Sequence, residues 1–138
     1  MGRSGVGAVV ATLAVGATLA LGLPGAALAS SPGMVKASTQ TAKQIVDDIG
    51  LPVPARCVAA KQARSDRAWG AYSIRSGSGC NPGDGYTVVH RSGGSWEALP
   101  LGGSYVPCSA LKEGLAEAGA PASVFRDFKA GKFCVAGE

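Results

Sequence analysis

The sequence predicts an α+β fold: an N-terminal helix, an antiparallel meander of about four strands, a C-terminal pair of short helices, and two disulfides. Three observations point to it. Apolar residues recur at helical spacing around Ile45, alternate with polar ones between Arg56 and Leu99, and return to helical spacing after Cys108. Four cysteines, Cys57, Cys80, Cys108 and Cys134, are distributed over these segments. All four follow a leader of the export type, so they are expected in an oxidising compartment.

The leader is residues 1–29. Arg3 is the only charge before Lys36, and Val6 to Leu23 contains only Val, Ala, Leu, Gly and Thr. Pro24 and Gly25 break any helix, and Ala27-Leu28-Ala29 supplies the small residues that a signal peptidase requires. Cleavage is expected between Ala29 and Ser30, giving a secreted, extracellular protein. An uncleaved anchor is the alternative, but the apolar run lies near the lower limit of about 17 residues for a span and is diluted by glycine and alanine.

Cleavage leaves about 110 residues, enough for one domain with a modest core. Residues 30–37, with Pro32 and Gly33, read as a flexible lead, and residues 38–138 as a single disulfide-linked domain. Ser38 or Thr39 caps a helix whose apolar stripe is Ala42, Ile45, Val46 and Ile49. Gly50 stops it, and Pro52 and Pro54 prevent its resumption.

Arg56 to Arg64 and Trp69 to Arg75 read as two strands around a Ser65–Ala68 turn, although alanines dilute the first and leave a helix open there. Ser76 to Gly85 is a loop. A third strand runs from Gly85 to Arg91, Ser92-Gly93-Gly94-Ser95 makes a turn, and a fourth strand runs from Trp96 to Leu99. The short connections leave no room for parallel crossovers, which makes the meander antiparallel. Ser109 is placed to cap a helix with Leu111, Leu115 and Ala118 on one face, ended by Gly119. Pro121 suits the first position of a last helix carrying Val124, Phe125 and Phe128, ended by Gly131.

The cysteines are spaced by more than twenty residues, which is unlike the close pairs of a zinc site. Cys57 and Cys80 bracket the first hairpin, and Cys108 and Cys134 bracket the helical pair. Each set of ends is expected to return together, so the expected pairs are Cys57–Cys80 and Cys108–Cys134. No thiol is then left for chemistry, and no metal or other cofactor is called for.

The segment from Arg56 to Cys134 carries R-C-V-A-A-K, D-R-A-W, G-D-G-Y-T-V-V-H-R, a Trp after a glycine turn, and a late cysteine pair. In these features it resembles uncharacterised small exported proteins of actinobacteria. The resemblance implies export and carries over no catalytic residue.

Little else points to catalysis. His90 is the single histidine, so a hydrolase of the common serine or cysteine type would need it as its base. Asp47 and Asp48 point apart on one helix. Glu113 and Glu117 share a helix face but lack histidine partners for a metal pair. The Gly77–Gly85 loop lacks the Gly-Lys-Ser/Thr of a phosphate loop and the acidic ladder of a calcium loop. The net charge of +4 is scattered, with no basic run, which argues against nucleic acid. In a domain this small most aromatics belong to the core, and Trp96, directly after the glycine turn, is the best candidate for partial exposure and contact with a partner.

The sequence therefore leans away from an enzyme and toward a noncatalytic, inhibitor-like extracellular binding module, with a small hydrolase using His90 or a carboxylate pair as the alternative. The partner is unassigned, an extracellular protein being the class the compartment favours. N-terminal sequencing of the secreted protein is expected to start at Ser30, and a start at Met1 would contradict the cleavage.

Overall fold

A computed structural model describes residues 31–136; the expected leader lies outside them. Within this range an antiparallel sheet of five strands runs in simple order, each strand beside its sequence neighbour. The strands are β1 (Met34–Lys36), β2 (Val58–Ala63), β3 (Trp69–Ile74), β4 (Tyr86–Ser92) and β5 (Ser95–Gly103). The helices are α1 (Thr39–Ile49), α2 (Cys108–Glu117) and α3 (Ala122–Ala130). Helix α1 covers one sheet face, and α2 and α3 cover part of the other.

The alternation of side chains along each strand builds this arrangement. On one face Ala63, Trp69, Ala71 and Val88 pack with Leu111, Leu115, Val124 and Phe128 from α2 and α3. On the other, Val58, Ala60, Val89 and Trp96 pack with Ala42 and Ile45 from α1. The two tryptophans thus serve opposite cores.

Local signals account for most ends. Ser38 caps α1, its Oγ accepting the Thr41 N–H at 3.0 Å. Gly50 closes the helix at φ 79°, a left-handed conformation that glycine adopts without strain. Both disulfides join the expected pairs, with Cα–Cα distances of 5.3 Å for Cys57–Cys80 and 4.8 Å for Cys108–Cys134.

Several expectations need correction. Residues 30–37 are not a free lead throughout, because Met34–Lys36 forms edge strand β1, paired Met34 to Ala63 and Lys36 to Lys61. The reason is tertiary. The Gly33 N–H donates to Asp127 Oδ1 at 2.9 Å, and Arg64 N–H donates to the Gly33 carbonyl at 3.0 Å. The sheet accordingly has five strands rather than four.

The first expected strand begins with a single 3-10 turn at Ala55–Cys57. The last strand continues through Pro100 to Gly103, as an outer strand permits. Ser109 does not cap α2, which starts after Pro107 with no side-chain cap. Instead the Cys108 N–H donates to the Val135 carbonyl at 3.0 Å, so the returning chain supplies the partner. Pro121 lies one position before α3 rather than inside it.

Among the described residues Asp127 is the one buried charged side chain, at 2% exposure. Besides the Gly33 N–H, it accepts the Ser65 N–H at 2.8 Å and the Ser65 Oγ–H at 2.6 Å. Burial acts against its ionised form. The Ser65 and Gly33 hydrogen bonds and the Arg64 charge outweigh that effect and hold the carboxyl below its ordinary value of 3.8. A folded pKa below the unfolded one adds stability above the unfolded value, and that stability is lost as pH falls through the folded value. Asp127→Asn is expected to lower unfolding stability at pH 7 by about 2–4 kcal/mol. In denaturant melts the gap to the parent should narrow below about pH 4; a gap independent of pH would exclude the ionised carboxylate as its source.

Candidate functional site

The sheet face under α2 and α3 is only partly covered. Beyond the ends of those helices, one line of residues crosses the sheet: Ala59 on β2 faces Ser73 on β3, and Tyr86 on β4 faces Gly103 on β5. Beside this line Lys36 and Lys61 stand opposite each other on β1 and β2. The chain after α3, Gly131 to Val135, forms a wall on this floor. The result is a trough made of two adjoining hollows of about 340 and 370 Å³. They share Lys61, Ser73, Tyr86 and Phe133.

The trough is cationic. Lys36, Lys61, Arg75 and Lys132 line it, all four are exposed, and no carboxylate is among its lining residues. The floor between them is mixed, with Ala59, Tyr86 and Phe133 beside Ser73 and Ser104. The Tyr86 ring meets Phe133 edge-on at 4.8 Å, and Phe133 meets Phe128 at 5.5 Å, which ties the floor to the core. The Tyr86 hydroxyl donates to the Phe133 carbonyl at 2.6 Å. Burial pushes that phenol up to about 12, still further above the physiological range than its ordinary 10.0, and the protonated hydroxyl ties the wall to the floor.

The wall carries an unusual residue choice. After α2, Gly119 takes the left-handed position at φ 92°; its N–H donates to Ala116, and the Ala120 N–H donates to Leu115. After α3 the same paired closure occurs, with Lys132 N–H to Lys129 and Phe133 N–H to Phe128. Here the left-handed residue is Lys132, at φ 65°. Glycine is the usual choice at such a position, and a side chain there costs about 1 kcal/mol. The strain places an ammonium group on the trough, where glycine would leave none. The Cys108–Cys134 bridge fixes the wall two residues later.

The residues singled out from sequence lie elsewhere. Trp96 is buried at 3% exposure, not an exposed contact residue. Alternation turns it toward α1, where the Asp48 carboxylate accepts its backbone N–H at 3.0 Å. Its indole Nε1 is buried with no hydrogen-bond partner among the described residues.

His90 stacks on Trp69 across β3 and β4, with ring centroids 3.8 Å apart and planes 17° from parallel. Glu97 faces it across β5, but no hydrogen bond joins the two, and His90 lines none of the five hollows described. Among the described residues, no group of three or more His, Cys, Asp or Glu side chains is placed to hold a metal ion. Cys57, Cys80, Cys108 and Cys134 are all in disulfides. The Gly77–Gly85 loop is tethered by Cys80 and by Arg56, whose Nη2 donates to the Ser78 carbonyl at 2.9 Å.

The four trough cations share no sequence signal because they are far apart in the chain. One local signal was present: Lys61 alternates with Ala59 and Ala63, so it occupies an inward-facing position of its strand.

No family model, curated protein or solved structure matches this chain. Lys132→Gly is expected to raise the melting temperature, by an amount equivalent to about 1 kcal/mol or less. A clear drop in calorimetry would show that the lysine side chain supports the fold rather than merely being tolerated there.

Proposed function

We propose that this is a noncatalytic, secreted binding module that takes an anionic partner, in the extracellular setting an acidic region of another protein, into the trough. The observation that carries the reading is the collection of Lys36, Lys61, Arg75 and Lys132 around one depression with no carboxylate lining it. An anionic ligand would meet these cations without a carboxylate in the lining to repel it. The left-handed Lys132 supports the reading, since its strain has a functional explanation on the trough wall.

Secretion is supported by the apolar leader, the Ala27-Leu28-Ala29 motif and the two disulfides. The likeness to exported actinobacterial proteins points the same way. The hydrolase alternative gains nothing from His90, which stacks in the sheet without a hydrogen-bonded acid.

The test is capture from culture supernatant on the immobilised mature, oxidised protein, beside its Lys61→Glu, Arg75→Glu double variant. Both residues are exposed, so the variant is expected to fold. A protein retained by the parent should be lost from the variant, and should elute as salt rises and the screening length falls below about 10 Å. Retention that is equal on both columns would sink the trough as the binding site.

A further inference from the structure

We propose that the trough's occupant is an extended acidic peptide strand in which carboxylate side chains alternate with apolar ones; this rests on the reading of the trough as a binding site. Shape is the first argument. The lining runs from Lys36 on β1 to Gly103 on β5, a distance of four strand spacings. At about 4.8 Å per spacing the floor is roughly 19 Å long, which accommodates about six residues of extended chain.

The placement of charge is the second argument. Within the trough Lys36 and Arg75 line one hollow, Lys132 lines the other, and Lys61 borders both; Lys36 and Arg75 also border a separate hollow beside α1. A small oxyanion seated in either hollow leaves cations in the other unanswered. A chain bearing several carboxylates reaches both. Between the cations the floor offers Ala59, Tyr86 and Phe133 beside Ser73, so apolar side chains find partners at positions between acids. Alternation with a period of two is what an extended strand supplies.

The aromatic geometry distinguishes a peptide from a sulfated or uronic glycan. Sugar recognition favours an open ring face. Here Tyr86 and Phe133 are half-buried and engage each other edge-on, with Phe133 also against Phe128.

The experiment uses the mature oxidised protein and a fluorescent octapeptide of alternating Glu and Val, followed by anisotropy at low salt. A Gln-for-Glu peptide, tripolyphosphate and dextran sulfate are compared as ligands or competitors. The Glu peptide is expected to bind, and the Gln version to bind at least about tenfold more weakly. Lys61→Glu and Lys132→Gly are each expected to weaken the Glu peptide by about tenfold, while Lys112→Glu, on α2 away from the trough, leaves it unchanged. Melting curves on each variant verify the fold, and Lys132→Gly, which removes strain, separates lost binding from lost stability. Equal binding of the Gln peptide, or undiminished binding by Lys61→Glu, overturns the proposal. Dextran sulfate or tripolyphosphate binding without peptide binding also overturns it, while leaving an anion-binding module intact. Binding of none of these anions removes both readings.

Discussion

The Asp127 carboxylate is the junction on which the arrangement of the trough depends. A buried charge is costly unless every oxygen has donors. Asp127 obtains them from Gly33 and Ser65, 94 and 62 residues away in sequence. Meeting that requirement brings together α3, the turn between β2 and β3, and the segment leading into β1. The consequences extend to the site. Holding Gly33 lays Met34–Lys36 along β2, and that register puts Lys36 beside Lys61. Fixing α3 in turn determines where Lys132 leaves the helix and meets the sheet. The same carboxylate therefore positions both sides of the cationic trough without lining it.

The rest of the molecule follows from the two faces of a strand. Trp69 and Trp96 are both large and both border turns, yet one packs under α2 and α3 and the other under α1. Parity along the strand, not proximity to a glycine turn, decides which face a side chain serves. The same parity makes Lys36, Lys61, Ser73 and Tyr86 neighbours on one face. The helices leave that part of the face open, because α2 and α3 are short and the chain then turns back through Cys134.

Much of the architecture was legible locally. The stripe from Ala42 to Ile49, the Ser38 cap, the alternating strands, the glycine turns and both disulfide pairs were all readable, because each depends on residues close together or on ends that short elements must bring back. The misreadings share one physical cause. Strand β1 has only three residues and almost no pattern of its own; it forms because β2 and Asp127 supply its partners. Ser109 was expected to cap α2, but Val135 provides the bond to the helix start instead. Trp96 follows a flexible turn, which made it the aromatic best placed for partial exposure, but α1 covers it.

By itself the sequence determined the class of fold, the order of the elements from α1 onward and the pairing of the cysteines, but not strand β1. These are consequences of periodicity, chain breakers and residue inventory. The tertiary structure alone decided the site. Lys36, Lys61, Arg75 and Lys132 are scattered along the chain, and a scattered charge of +4 argues for nothing. They become a single feature only when antiparallel register places two on adjacent strands, the third at the end of a neighbouring strand, and the fourth on a wall closed by a disulfide. Charge adds up in space rather than along the chain, and so the candidate function appears only once the chain has folded.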